Sequence, residues 1–235
     1  MASRREQLAQ VRQILLEGAD AGAALAALEA IAAKTRLGPL FSLLLDADDL
    51  VRWRAVTAFG AAVAALAAVR LEDARDVWRN LMWRVNEESG NIAWGIPECM
   101  GETLAVSPAL AADYHRVLIS YVQDLEGDCT YIDHAPLRRG AWWAVARLAQ
   151  ADPALAAHGL PEITAALGDC DAAARGLACL ALARIKPDPS QTLLQALSGL
   201  SGDTAAFDLY DGWNLGTTTV AVQAAAALAA CRSYM

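Results

Sequence analysis

The sequence predicts an all-α protein, a right-handed α-solenoid of about five stacked two-helix repeats. A segment at 46–60 recurs in modified form at 92–101, 137–146 and 174–183, with spacings of 41, 45 and 37–38 residues. A two-helix unit of that length cannot bury its apolar face alone, so successive copies are expected to stack. Hydrophobic residues make up 56% of the chain and are largely Ala and Leu, a composition that favours closely packed helices.

The second helix of each repeat carries the recurring residues. They are Val51, Arg52, Ala55, Phe59 and Gly60 in the first copy, with Arg138, Ala141, Arg175 and Ala178 in later copies. This pattern resembles HEAT repeats, specifically the short variant of phycobilisome-lyase-like repeat proteins, whose second helix begins with Val-Arg. The likeness covers about residues 35–185, and the segment 83–98 also looks like one in a group of uncharacterised bacterial HEAT-repeat proteins. The resemblance implies the fold and no activity.

Apolar periodicity and chain breakers place the helices of the N-terminal half. Helical patterns run at about 4–17, 23–34, 40–45, 49–68 and 71–85, and another begins at Asn91. Gly18, Asp20 and Gly22 separate the first two patterns, and the Asp46-Ala-Asp-Asp turn precedes the fourth. Proline fits a helix only in its first turn or at a kink, so Pro97 is expected near a helix start.

The C-terminal half continues the same pattern. Helices are predicted at about 108–124, 136–150, 153–167, 171–185 and 189–198, followed by a final Ala-rich helix. No run alternates apolar and polar residues, and β-branched residues cluster only at 217–220, so no strand is predicted. We expect one continuous domain over residues 1–235, with less regular caps at about 1–35 and about 199–235.

Charge and composition exclude several classes of protein. The formal net charge is −8 and the sequence pI is about 4.9. A nucleic-acid binder normally shows a basic stripe, so a nucleic-acid partner is not expected. The longest apolar stretch, 61–69, is too short to span a bilayer, and no signal peptide is expected before the first helix. The five cysteines are scattered without a CxxC, which indicates reduced thiols and a cytoplasmic location.

A polar and aromatic stripe emerges when the four copies are aligned. At about 100° per residue, positions 53, 57 and 61 lie opposite the packed face of their helix, and in HEAT-type stacks this side faces the concave surface. The stripe reads Trp53-Thr57-Ala61, Trp94-Glu98-Glu102, Arg139-Trp143-Arg147 and Gly176-Leu180-Arg184 in the four copies. Three tryptophans therefore occupy positions that core packing alone would leave exposed.

Two interpretations of this stripe remain open. In the first, Trp53, Trp94 and Trp143 anchor a protein or peptide partner, and a second set of residues sets the polarity of the groove. That set is Glu98, Glu102, Arg139 and Arg147. In the second, the same charges form an internal ladder across adjacent repeats, each pair contributing about 0–1 kcal/mol, and the tryptophans pack flat or are covered by the terminal repeats. Self-association through this surface is a further possibility.

A carboxylate cluster supplies the alternative function. Glu87, Glu88, Glu98 and Glu102 lie near Asn86 in the sequence, and paired carboxylates can serve acid–base or metal roles. Glu87 and Glu88 also precede a helix start, where negative charge complements the helix dipole. The three histidines lack the His-Glu pairs of HEAT-like di-iron hydroxylases, and no zinc spacing, phosphate loop or catalytic triad is present.

The predicted function is therefore a non-catalytic protein- or peptide-binding scaffold that acts through the concave face. No catalytic residue, metal or cofactor is predicted, and neither a membrane nor a nucleic acid is an expected partner. The alternative is a cofactor- or chromophore-handling accessory protein, or an enzyme, centred on the carboxylates between Asn86 and Glu102.

Overall fold

The computed structural model describes residues 3–87, 93–125 and 130–232. The chain forms two compact units. The first comprises Met1–Leu110 together with Tyr210–Leu215, and the second comprises Ala111–Leu209 together with Gly216–Met235. The expected single continuous domain remains a prediction.

The first unit is built from six helices over the described part of its sequence. They are α1 (Arg4–Glu17), α2 (Ala21–Leu28), α3 (Ala33–Leu43), α4 (Asp49–Val69), α5 (Leu71–Val85) and α6 (Ile96–Val106). The predicted helix at 23–34 is wrong, because the chain turns after Leu28 and starts again at Ala33. Arg36 stabilises this turn: its Nη1 donates to the carbonyls of Leu28 at 2.8 Å and Ile31 at 3.3 Å.

Helix α4 is the central element of the first unit. Asp48 caps it by accepting hydrogen bonds from the backbone amides of Leu50 and Val51. The face predicted to pack against neighbours is buried, as Val51, Ala55 and Phe59 are all fully shielded from solvent. Among the described helices, α4 alone is long and apolar enough to cross a membrane, but core helices of soluble proteins pass the same test, and 56% of its most apolar window is buried.

The second unit contains shorter helices. They are α7 (Pro108–Ser120, which begins in the first unit), α8 (Ala135–Ala151), α9 (Pro153–Ala156), α10 (Leu160–Ala165), α11 (Ala172–Ile185), α12 (Gln191–Gly199) and α13 (Val220–Arg232). The predicted helix at 153–167 is broken instead by 3-10 turns at Ala157–Gly159 and Ala166–Gly168. Pro161 explains the first interruption, because it stands near the start of α10, where a missing amide hydrogen costs nothing.

A β-hairpin contradicts the expectation that the chain has no strand. Strands β1 (Ala206–Tyr210) and β2 (Leu215–Thr219) pair with each other. Asp211 closes the turn between them, its Oδ1 accepting from the amides of Trp213 at 2.9 Å and Asn214 at 2.8 Å. Asp211-Gly212 is a common hairpin turn dipeptide, and the β-branched cluster at 217–220 overlaps β2.

The recurring arginine has the same structural role in three copies. From Nη1, Arg52 donates to the carbonyl of Asp46 at 2.9 Å. Arg138 donates in the same way to Ile132 at 2.7 Å, and Arg175 donates to Asp169 at 2.7 Å. Each bond spans six residues and fixes the turn that leads into the second helix. The recurrence of this arginine is therefore explained by local structure.

Candidate functional site

The α4 part of the stripe is covered by the hairpin turn, residues 210–215, which belongs to the same unit. Trp53 is half-buried and its ring stacks on Tyr210, with ring centroids 5.0 Å apart. Thr57 is 8% exposed, and its Oγ1 lies 2.8 Å from the Tyr210 hydroxyl and 3.1 Å from the Gly212 carbonyl. Burial raises the pKa of Tyr210, so the hydroxyl stays protonated. In the described structure, Trp53 and Thr57 are thus packed against the chain itself.

The hairpin turn is also tied to the end of α1. Arg54 donates from Nη1 to the carbonyl of Leu15 at 2.7 Å, and its guanidinium lies 4.4 Å from the ring centroid of Trp213. Trp213 is 6% exposed, and its Nε1 donates to the Gly18 carbonyl at 3.2 Å. These contacts make the turn a core element of the first unit rather than a surface loop.

Trp94 does not lie on the helical stripe where the sequence placed it. Helix α6 begins only at Ile96, so Trp94 belongs to the turn before the helix. Gly95 adopts a left-handed conformation with φ of 75°, and Pro97 stands in the first turn of α6. A left-handed residue interrupts helical geometry, and Pro97 has no amide hydrogen for a bond to an earlier turn, so the helix cannot extend back to Trp94. The side chain is 38% exposed.

Glu98 and Glu102 lie inside the first unit rather than on an exposed groove. Glu102 is 3% exposed and packs on Gly60 of α4, where an added Cβ would stand 2.6 Å from its Cγ. Glu98 is half-buried, but its Oε2 is shielded and has no hydrogen-bond partner among the described residues. Burial raises the pKa of Glu98 to about 7, against an opposing contribution from Arg52.

The stripe residues of the second unit have mixed environments. The expectation that Trp143 is exposed is wrong, because its side chain is only 5% exposed. Arg139 is exposed, and its Nε lies 2.6 Å from Oδ2 of Asp171. Arg147 is half-buried. The proposed ladder between the glutamates of α6 and the arginines of α8 stays a prediction.

Close packing also covers the fourth copy of the stripe. Gly176 of α11 lies under Phe207 of β1, and a Cβ at this glycine would collide with the aromatic ring. Both residues belong to the second unit. Within the second unit, Phe207 thus covers the stripe position Gly176.

The carboxylate cluster is only partly described. Asn86 is exposed and Glu87 is half-buried, both just beyond the end of α5. Glu88 lies outside the described residues. No group of three or more His, Cys, Asp or Glu side chains within the described ranges is arranged to hold a metal ion. Cys99, between the two glutamates of α6, is fully buried, and burial raises the pKa of its thiol well above the ordinary value.

One open cavity in the first unit includes a predicted stripe residue. It has a volume of about 360 Å³. We call it the Trp94 pocket and define it by Arg4, Phe41, Leu45, Arg84, Trp94 and Ile96. The guanidinium of Arg84 lies 5.1 Å from the ring centroid of Phe41, and Leu45 is 67% exposed. Sequence reasoning found only Trp94, because the other five residues come from α1, α3 and the turn after it, α5 and the start of α6. Tertiary packing alone brings them together.

Comparisons with known proteins identify the fold. No family model matches the chain, and no curated protein is significantly similar to it. An engineered protein solved by a structural genomics consortium superposes with a TM-score of 0.56 at 15% identity, covering 99% of this chain and 95% of the other. A designed armadillo repeat protein gives a TM-score of 0.53 at 17% identity, covering 98% of this chain and 95% of the other.

A natural repeat protein is more distant. The archaeal HEAT-like repeats protein from Thermococcus onnurineus NA1 gives a TM-score of 0.40 at 14% identity, covering 96% of this chain and 97% of the other. The superposition on the designed armadillo repeat protein confirms the prediction of an all-α solenoid of the HEAT/armadillo-like class. The finer resemblance to phycobilisome-lyase-like repeats remains a prediction. At these identities, the likeness shows the fold alone.

Proposed function

We propose that this protein is a non-catalytic scaffold and that a protein or peptide partner binds at the Trp94 pocket. The observation that carries the proposal is a partly exposed tryptophan in an open pocket that has both apolar walls and two arginines. A HEAT/armadillo-like fold is compatible with such a role. The cytoplasmic location expected from the sequence goes with this proposal.

The chemistry of the pocket selects the kind of partner. Tryptophan and arginine are enriched among the residues that dominate binding energy at interfaces. Phe41, Leu45 and Ile96 supply apolar walls, whereas Arg4 and Arg84 supply the charge. None of the described residues that line the pocket is a carboxylate, although the chain as a whole carries a net charge of −8. The complementary partner is a segment with a large apolar side chain flanked by acidic residues.

The proposed binding surface is smaller than the stripe predicted from the sequence. Trp53 is half-buried under Tyr210, and Glu102 and Trp143 are buried, so we propose structural roles for all three. Arg139 is exposed but paired with Asp171. Trp94 is thus the stripe residue that we propose for partner contact, and the concave-face model remains a broader form of the same hypothesis.

A pair of labelled peptides tests the proposal on the full-length protein. Both have a central Leu-Trp, and one has glutamates on each side where the other has lysines. In fluorescence polarisation, we expect the acidic peptide to bind with a Kd in the micromolar range and the basic peptide to bind at least tenfold more weakly. Equal binding of both peptides would contradict the proposed charge preference.

Matched variants locate the contact. Trp94→Ala is expected to weaken binding of the acidic peptide at least tenfold, and Arg84→Glu is expected to shift the preference towards the basic peptide. Trp83→Ala is the control, because Trp83 is 59% exposed on the neighbouring helix α5 but does not line the pocket. If Trp83→Ala weakens binding as much as Trp94→Ala does, the pocket is not the site.

One observation supports the alternative function, an accessory protein or enzyme centred on the carboxylates. Burial sets the pKa of Glu98 at about 7, in the range where a carboxyl group can exchange protons at neutral pH. Metal analysis of the purified protein separates the two candidates. A stoichiometric metal ion that is lost in Glu98→Gln would favour the alternative over the scaffold.

A further inference from the structure

Two histidine side chains face each other in the second unit. The Nε2 atom of His115, on α7, lies 2.8 Å from the Nδ1 atom of His158, on the 3-10 turn Ala157–Gly159. The two ring centroids are 4.9 Å apart. His115 is 7% exposed, whereas His158 is exposed. The pair thus lies at the edge of the core, with one ring held in it and the other accessible from solvent.

Close packing between the 3-10 turn and α7 brings the two rings together. A Cβ atom at Gly159 would lie 3.1 Å from Cγ2 of Ile119, so glycine lets the turn approach the helix closely. Ile119 lies one helical turn after His115, and Gly159 directly follows His158, so the same close approach sets the distance between the rings. The two histidines are 43 residues apart in the chain, and helical periodicity therefore does not relate them.

The hydrogen bond of His115 within its own helix assigns the protons of the pair. Its Nδ1 lies 2.9 Å from the carbonyl oxygen of Ala111, and a carbonyl oxygen can only accept, so Nδ1 carries the proton. In the neutral ring, Nε2 then has a free lone pair and accepts the hydrogen bond from Nδ1 of His158. Metal-binding histidines are typically oriented in this way, with one ring nitrogen donating to a backbone carbonyl and the other facing the ion.

We propose that His115 and His158 together bind one divalent transition-metal ion, with Cu²⁺ as the preferred ion. Imidazole nitrogens suit copper, nickel and zinc, and copper binds most tightly in this series. Two nitrogens that coordinate at a right angle with bonds of about 2.0 Å lie about 2.8 Å apart, which matches the observed distance between Nε2 and Nδ1. No third protein ligand completes the site within the described ranges, so water fills the remaining positions.

Metal binding replaces the hydrogen bond between the two rings. The proton of His158 moves from Nδ1 to Nε2 of the same ring, so both rings stay neutral and each turns a lone pair towards the ion. Because His158 is exposed, its ring can turn without displacing core side chains. His115 keeps its hydrogen bond to Ala111, which holds the buried ligand in place.

Copper titration of the full-length protein tests the site. The titration uses a Cys170→Ser background, because Cys170 is an exposed thiol that would itself bind copper. We expect one Cu²⁺ ion per chain with a Kd in the micromolar range, and an electron paramagnetic resonance spectrum that shows two coordinated nitrogens. Zn²⁺ should bind at least tenfold more weakly than Cu²⁺, in line with their order of affinity for nitrogen ligands.

Matched histidine variants locate the ion. His158→Gln removes the exposed ligand and leaves the buried ring of His115 in place, so it should weaken Cu²⁺ binding at least tenfold and abolish the two-nitrogen spectrum. His134→Gln is the control, since it removes an exposed histidine of the same unit that does not belong to the pair. Glu98→Gln should also retain the ion, which separates this site from the carboxylate alternative.

Either of two results would overturn the proposal. The first is the absence of stoichiometric Cu²⁺ binding by protein that is folded by circular dichroism. The second is equal binding in His158→Gln and His134→Gln, which would show that isolated surface histidines take up the ion. Both results would leave the pair as a structural hydrogen bond, and neither affects peptide binding at the Trp94 pocket.

Discussion

The starts of helices α4 and α6 differ although both carry a copy of the same repeat. At α4, Asp48 caps the helix and Arg52 fixes the preceding turn through the Asp46 carbonyl. At α6, the position of that arginine is Ala93, and Gly95 in a left-handed conformation precedes the first helical residue. Trp53 consequently lies within its helix and packs under the hairpin turn, whereas the equivalent Trp94 lies before its helix and remains partly exposed.

This difference shows that the same repeat position can lie in two different structural environments within one unit. Where the aspartate and arginine are present, the helix begins early and its inner face is available for internal packing. Where they are absent, the helix begins late and the aromatic side chain points from a turn into an open pocket. The absence of the aspartate and of the arginine at the helix start is therefore the feature that marks the candidate binding region.

The largest loss of stability is expected from a substitution in the hairpin turn that covers α4. Trp213→Ala removes a buried indole from the hairpin turn and should lower the free energy of unfolding by about 3–5 kcal/mol. Urea denaturation followed by circular dichroism measures the change. Trp83→Ala, at an exposed position, should cost less than about 1 kcal/mol. Equal, small losses for both variants would show that the turn does not stabilise the first unit.

Replacing the recurring arginine by alanine should lower the free energy of unfolding most where the side chain is least exposed. Arg175 has 16% of its side chain exposed and donates twice to Asp203, at 2.9 and 2.7 Å. Arg175→Ala is therefore expected to cost about 2–3 kcal/mol, as for charged hydrogen bonds that lose a partner. Arg52 has 40% of its side chain exposed, so Arg52→Ala should lower the free energy of unfolding by only about 1 kcal/mol. A larger loss of stability in Arg52→Ala than in Arg175→Ala would contradict the shared structural role.

Glu98 is expected to make the stability of the protein depend on pH. Its pKa is raised from 4.5 to about 7, so between these values the folded state holds a proton that the unfolded state has lost. The stability contributed by the protonated group is complete below pH 4.5 and is lost as the pH rises to 7. Glu98→Gln should therefore stabilise the protein by about 1–3 kcal/mol at pH 8. Its effect at pH 4.5 should be much smaller, and thermal unfolding at the two pH values provides the test.

The smallest effect on stability is expected at Trp94. Because the indole lies before α6 and is partly exposed, Trp94→Ala should change the free energy of unfolding by less than about 1 kcal/mol. Binding of the acidic peptide should nevertheless fall at least tenfold in the same variant. A loss of stability similar to that of Trp213→Ala would instead make Trp94 a core residue and remove the basis of the scaffold proposal.

The sequence was a good guide to local structure and a poor guide to exposure. Helix α5 was predicted with its exact bounds, and α4 to within one residue, because apolar periodicity and the aspartate cap act over short distances. The covering of Trp53 depends on a hairpin turn far away in the chain, and the burial of Trp143 likewise depends on tertiary packing. Helical periodicity encodes neither. Trp94 was displaced from its stripe by Gly95 and Pro97, signals that were present in the sequence.

The hairpin turn has a consequence for how the chain acquires its structure. Thr57 and Tyr210 are separated by 153 residues, yet they share a buried hydrogen bond in the first unit. During synthesis, α1 to α6 emerge long before the turn that covers α4, so the first unit remains incomplete while the second is being made. Long-range closures of this kind slow folding and leave apolar surface exposed in the meantime. The N-terminal helices therefore depend on a late part of the chain for their final packing.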